Sequence, residues 1–357
     1  MSSPNPFRCE DHTGLWANEL KDWLPDSLFD AHVHLGPPEV VGEISSERQQ
    51  TGLTAFTHLI LEEINDICAS LFDGKRTAGM ITFGFPLQEV NIEAANAYTA
   101  GLIRKHSHVK GFIFCNPGDV AGMVRDFREW EKAGVRFHGV KPYFDFLRKS
   151  NYETDWEELL PTALLEFMNG EELVMMLHTC RTGMGEPRVQ EFIGDVVDRY
   201  PKIKIVFAHM GRYFRVEPTL KFLESDLLNC PSLHLEMSSA TVPEVYERVL
   251  SRRELWDRLL FGTDLPFGLW TGVEQWSQAT GPVFVTRNTA VTHPAWLRRF
   301  GIDPDRLTYN TYHVVKAVKD AMGKLRLDEV QSRALREKVF LSNAQRLFEQ
   351  GCDDRSE

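Results

Sequence analysis

The stretch Phe29-Asp30-Ala31-His32-Val33-His34-Leu35-Gly36 decides how this chain is read. Two histidines separated by one residue on an extended segment point the same way, so their imidazoles can bind one ion. The run ends in Gly36-Pro37-Pro38, which cannot continue a strand interior and so places His32 and His34 at the C-terminal edge of a strand, just before a loop. Barrel enzymes keep their chemistry at that edge. A buried strand with two hydrogen-bonded histidines accounts for the same residues, so the rest of the chain has to separate the two readings.

The 357 residues are 43% hydrophobic and 25% charged, proportions of an ordinary chain able to bury a large core. A net charge of -11 with 40 basic residues argues against a nucleic-acid groove or a polybasic membrane face, both of which need clustered positive charge. A small-molecule substrate is expected, acted on by a monomer or a homo-oligomer. Cys9, Cys68, Cys115, Cys180, Cys230 and Cys352 are scattered without zinc-knuckle spacing or the density of a secreted disulfide scaffold, which favours a reducing, cytoplasmic setting. The first residues carry Glu10, Asp11 and Glu19 and lack a basic segment followed by an apolar core, and no later run is long enough to span a bilayer.

Before about Trp23 the chain reads as a polar leader with an amphipathic turn or two around Leu15 to Leu24. After the first strand, Pro37 to Gln50 is a polar loop and Ala55 to Phe72 has helical apolar spacing. A strand-then-helix rhythm follows. Strands are expected at Gly79 to Phe85, Val109 to Cys115, Val135 to Tyr143, Leu173 to His178, Ile203 to His209, Leu233 to Met237 and Leu259 to Asp264. Helices are expected at Asn91 to Lys105, Val120 to Ala133, Trp156 to Met168, Arg188 to Tyr200, Thr219 to Leu228 and Val242 to Leu250. Eight near-continuously apolar strands alternating with helices predict an α/β fold, a (β/α)8 TIM barrel over about residues 28–268. Phe267 to His293 reads as an aperiodic loop able to wall the site, and residues 294–350 as helices packed on the barrel, so the chain is read as one domain over residues 1–357.

Polar residues close the other apolar runs: Lys141 and Tyr143 after strand four, His178 after five, His209 after six, Asp264 after eight. In a closed barrel those ends share one rim, so His32, His34, Lys141, His178, His209 and Asp264 converge. A lone strand-end histidine is more often structural. Four histidines and an aspartate on one rim favour a metal site. Arg181 and Arg212, just after strands five and six, can grip a substrate carboxylate or form surface ion pairs, and Tyr143 is a substrate-binding candidate. Glu236 and Ser238, near the end of strand seven, are candidates for contacts behind the site. Met175 and Met176 read as core, and Cys180 has no base dedicated to it.

This set resembles the amidohydrolase superfamily, whose pattern is His-x-His on strand one, lysine on four, histidines on five and six, and aspartate on eight. Phrases such as "FDAHVHLG", "VFAHMGR" and "LLFGTDLPFG" look most like its amidohydrolase-2 branch, which mixes hydrolases and non-oxidative decarboxylases. The resemblance spans about Asp30 to Pro266. It implies one or two divalent ions, zinc first, held by nitrogen and carboxylate donors, with Asp264 as the base that takes a proton from water. His209 then either binds a second ion or polarises the substrate carbonyl. Lys141 is implied to add carbon dioxide and bridge two ions as a carbamate; as a plain amine it would instead hydrogen-bond a substrate oxygen.

The expected activity is metal-dependent hydrolysis of an amide, ester or lactone. Decarboxylation is the alternative: Lys141 leans toward hydrolysis, since decarboxylases of this branch generally do without that lysine, and the two arginines lean mildly the other way. A barrel that binds metal without catalysis is disfavoured by the intact Asp264. A nucleobase deaminase is set aside because Thr179, Cys180 and Arg181 follow His178 where such barrels place a glutamate.

Overall fold

The computed structural model describes residues 8–50, 52–150, 152–179, 183–212, 215–287 and 293–349. Eight parallel strands run in sequence order around a nearly closed barrel with flanking helices: β1 (Ser27–His34), β2 (Arg76–Phe83), β3 (Val109–Cys115), β4 (Gly139–Pro142), β5 (Val174–Leu177), β6 (Lys204–Phe207), β7 (Leu233–Glu236) and β8 (Leu259–Leu260). This is the (β/α)8 barrel expected from the sequence. No described helix is long and apolar enough to cross a membrane.

Local chemistry sets where the helices start. Asn91 accepts from the Ala94 N–H at 3.0 Å and opens helix Ile92–Lys105; Asp119 does the same for Gly122 at the head of Val120–Lys132. Two expectations shift. The helix read from Ala55 begins only at Leu61, because Leu59 first exchanges backbone hydrogen bonds with Gly36 (2.8 and 3.0 Å) and Glu63 caps the Ile60 N–H at 2.9 Å. Pro161, which lacks a backbone N–H, divides the stretch read as Trp156 to Met168 into a turn at Trp156–Leu159 and a helix at Thr162–Glu171.

Facing inside the barrel follows the two-residue period on most strands. Val174 and Met176 of β5 belong to the inner cluster, which carries His178 inward with them. β1 breaks this rule: Phe29 and Ala31 are inside, and strict alternation would turn Val33 in and both histidines out. The ladder to β2 shifts register between Asp30 and Val33, Val33 packs in the outer cluster, and His32 and His34 turn toward the interior.

The ladder of β8 is two residues long, and its seam with β1 is made by single contacts. Ala31 N–H donates to the Phe261 carbonyl (2.9 Å), Asp264 N–H to the His32 carbonyl (2.8 Å) and His34 N–H to the Leu265 carbonyl (2.8 Å). The buried Asp30 carboxylate adds bonds from the Thr263 N–H (2.9 Å) and hydroxyl (2.5 Å). The opposite end of the barrel is plugged by the C-terminal helices: the Phe348 ring lies 6.1 Å from Phe29 and 5.7 Å from Phe112, and Asn343 donates to the carbonyls of Trp256 (2.7 Å) and Leu259 (2.9 Å).

The region read as a loop from Phe267 to His293 contains a hairpin, which corrects that expectation. β9 (Gly272–Ser277) and β10 (Gly281–Thr286) pair antiparallel through a short turn that ends on Gly281 at φ 65°. Residues 288–292 lie outside the described residues.

Buried Asn96 clips the second helix to β3, accepting from the Phe114 N–H (2.8 Å) and donating to its carbonyl (3.2 Å). Asn96→Leu keeps the volume and orphans both peptide groups. It is expected to lower unfolding free energy by about 2–4 kcal/mol in a denaturant titration while leaving metal content unchanged.

Candidate active site

His32, His34, Lys141, Tyr143, His178, His209, Arg212 and Asp264 all line one cavity of about 320 Å³ at the C-terminal ends of the strands. Arg181 and Cys180 lie outside the described residues. Met175 and Met176 are fully buried.

Each imidazole has its Nδ1 engaged away from the cavity. His34 Nδ1 lies 2.8 Å from the Gly84 carbonyl, which can only accept, so Nδ1 carries a proton and Nε2 is the atom left to face the cavity. His32 Nδ1 donates to Glu236 at 2.9 Å. His209 Nδ1 meets the Ser238 hydroxyl at 2.9 Å, and that hydroxyl donates onward to Glu236 at 2.8 Å, so it accepts from the ring. His178 Nδ1 is 3.2 Å from the Thr179 carbonyl. All four present Nε2 to the interior.

The consequence is sharpest beside Asp264. One of its oxygens lies 3.1 Å from His34 Nε2 and 3.3 Å from His32 Nε2. Burial pushes the Asp264 carboxyl up, but the imidazoles around it, His32 first, hold it well below the usual carboxylate range. Burial drives His32 and His178 well below the usual imidazole range and His209 down to about 4. Two imidazole nitrogens and a carboxylate oxygen this close together form a donor set that a cation between them would satisfy. A second donor cluster, His32 with His209 and Glu236, is a weaker candidate, because four donors already occupy Glu236: His32 Nδ1, the Ser238 N–H and hydroxyl, and the His209 N–H at 3.3 Å.

The backbone aims these groups. His209 (φ 54°) and Asp264 (φ 58°) both sit in the left-handed region, uncommon for residues with a Cβ, and the turn from His209 to Arg212 stays there throughout. Gly262 is required by close approach: a Cβ there would lie 2.3 Å from the Glu236 carboxylate and 2.9 Å from His32 Cβ. Lys141 is buried, its Nζ 4.9 Å from the Phe83 ring centroid and 5.8 Å from that of Tyr143; burial lowers its amine to about 8, with Asp264 and Glu236 pulling the other way. Arg212 is buried beside the Tyr152 ring and donates to its hydroxyl at 2.8 Å.

The sequence marked Phe267 to His293 as a wall of the site but not its hairpin, nor Asn310 beside it. Phe267, Trp270, Glu274, Phe284 and Asn310 line the cavity from the hairpin and from the start of helix Asn310–Gly323. A signal existed for the hairpin, since β-branched and aromatic residues (Val273, Trp276, Val283, Phe284, Val285) flank Gly281. Nothing local marked Asn310.

Glu236→Gln replaces an acceptor of four hydrogen bonds with an amide that cannot accept them all. We expect zinc affinity to fall about 10–100-fold in competition with a chelator, with the far-ultraviolet spectrum unchanged.

Comparisons with known proteins agree with the barrel fold. No protein of curated function matches the chain. Among solved structures it is similar to the apo form of Agrobacterium tumefaciens ATU3138 (TM-score 0.52, 14% identity, covering 92% of this chain and 96% of that one) and to an amidohydrolase 2 from Bifidobacterium longum subsp. infantis (0.52, 12%, 91% and 99%). It is also similar to a 2,6-dihydroxybenzoate decarboxylase from Rhizobium (0.50, 14%, 92% and 99%). These identities speak for the fold alone. The family model described as Amidohydrolase, of the amidohydrolase-2 type, matches residues 69–350, so the chain belongs to that family.

Proposed function

We propose that the chain is a metal-dependent hydrolase that cleaves an amide, ester or lactone bond of a small molecule in the cytoplasm. The observation that carries this is the convergence of His32 Nε2 and His34 Nε2 on one Asp264 oxygen, a donor set suited to zinc. A zinc ion held there would acidify a water molecule and polarise the bond to be cleaved.

The residues divide the remaining work. Asp264, ionised and at the edge of the cavity, accepts the proton from water and returns it to the leaving group. His209 carries its proton on Nδ1, toward Ser238, and so offers the cavity a lone pair; it acts as a ligand with His178 and not as the proton donor. Lys141, enclosed by the barrel with its amine lowered to about 8, has more of the neutral form that adds carbon dioxide than an exposed lysine, and a carbamate there would supply the oxygen donor for a second ion. Tyr143 and Arg212 orient the substrate from the side.

A second reading, decarboxylation of a small carboxylic acid, is favoured by one observation: a buried guanidinium, Arg212, faces the same cavity and suits a carboxylate. The Rhizobium structure of similar fold is that of a decarboxylase. Carbon dioxide released from benzoate-type acids, with no turnover of lactones, esters or amides, would establish this reading in place of hydrolysis.

Elemental analysis of the purified protein is expected to find zinc, about two ions per chain when bicarbonate is present and about one in Lys141→Ala. His32→Ala with His34→Ala should remove the ion, since too few donors remain for a closed coordination shell; metal-free wild-type protein that gains no activity on adding zinc would overturn the proposal. Asp264→Asn keeps size but cannot take the proton, and turnover of any hydrolysed substrate should fall about 100- to 10,000-fold with the unfolding midpoint little changed.

A further inference from the structure

The roof of the cavity carries polar groups that hydrolysis at the metal site does not use. Glu274 of β9 and Phe284 of β10 are cross-strand partners that both line the cavity, and Asn310 rises beside them. Asn310 is 2% exposed. Its backbone N–H donates to the Trp270 carbonyl (2.7 Å) and its Nδ2 to the Gly272 carbonyl (3.3 Å), so the donor end of the amide is committed to holding the hairpin. The other end, Oδ1, has no hydrogen-bond partner among the described residues. A buried amide oxygen is rarely left so, because it gave up water to get there.

We propose, building on the metal-site reading above, that Asn310 and Glu274 form a second subsite, in the roof of the cavity, that takes a neutral hydroxyl group of the substrate. The oxygen of Asn310 demands a donor, which excludes a carboxylate, and an apolar group would leave it orphaned. An ammonium is disfavoured because the Arg212 guanidinium lines the same cavity. Glu274 suits a hydroxyl: burial pushes its carboxyl up to about 8, against the pull of Arg212 and with Asp264 adding to the rise, so near pH 7 it can both accept and donate. Trp270 and Phe284, with ring centroids 5.0 Å apart, wall the subsite and keep water from competing.

The test uses zinc-loaded protein and calorimetric titration with 3- and 4-(hydroxymethyl)benzoate, the matching methylbenzoates and the matching aminomethylbenzoates. At least one hydroxymethyl isomer should bind about 3- to 10-fold more tightly than its methyl counterpart, and Asn310→Leu should abolish that ratio while methylbenzoate binding persists. Because Asn310 also tethers the hairpin, Glu274→Leu, which leaves the tether in place, should reduce the same ratio. Equal affinities within each pair, a preference for the aminomethyl compounds, or no measurable binding of any probe overturns the subsite. Titrating metal-stripped protein separates the two claims: affinities indifferent to zinc defeat the metal-site reading, whereas the hydroxyl-to-methyl ratio reports on Asn310 and Glu274 alone.

Discussion

His32 Nε2 and His34 Nε2 face one Asp264 oxygen across little more than 3 Å, and most of the rim is built to hold them in that arrangement. The Gly84 carbonyl and the Glu236 carboxylate fix the proton of each ring on the far nitrogen. Gly262 leaves the space that Glu236 needs, and the left-handed backbone at Asp264 turns the carboxylate toward the rings. The strain at such positions persists only where the surroundings over-determine it, and here the seam hydrogen bonds between β1 and the residues after β8 do so. Glu236 links the two sides of the site, since it restrains His32 directly and His209 through Ser238.

Much of this was legible from residue order, and the exceptions are instructive. Strand ends, and the residues on them, could be read because a parallel barrel strand is a short apolar run and its polar terminator stands out; His178 even has the correct facing by simple alternation from Val174 and Met176. His32 and His34 share a side whichever way the strand turns. That the side is the inner one depends on a register shift against β2, which no local pattern announces. Glu236 was visible as a polar residue in an apolar strand, but its four hydrogen bonds come from three separate strands' ends and belong to the tertiary structure.

The wall of the site was read at Phe267 to His293, but its hairpin and Asn310 escaped for a different reason. β9 and β10 are partly exposed on the rim, so their alternation is diluted by residues that answer to solvent, and the stretch looked aperiodic. Asn310 begins a helix 46 positions after Asp264 in a segment of unremarkable composition, and it reaches the cavity because the hairpin folds back to meet it through the Thr271 to Tyr309 bridge. The cation–π contact of Arg215 over Trp276, at 4.4 Å, ties the same hairpin to the loop after β6. Residues that set selectivity in this fold sit on such additions, outside the repeating unit whose regularity makes a barrel recognisable.

The plug of Phe348 against Phe29 and Phe112 joins the first strand to a helix made about 300 residues later. During synthesis, β1 therefore emerges long before the strand and helix that complete its surroundings. Until they arrive, Phe29 and Ala31 have no finished interior to enter, and an apolar strand edge waits unpaired. Completion of the rim by Asp264 and closure of the far end by Phe348 therefore wait for segments made more than 200 residues after β1.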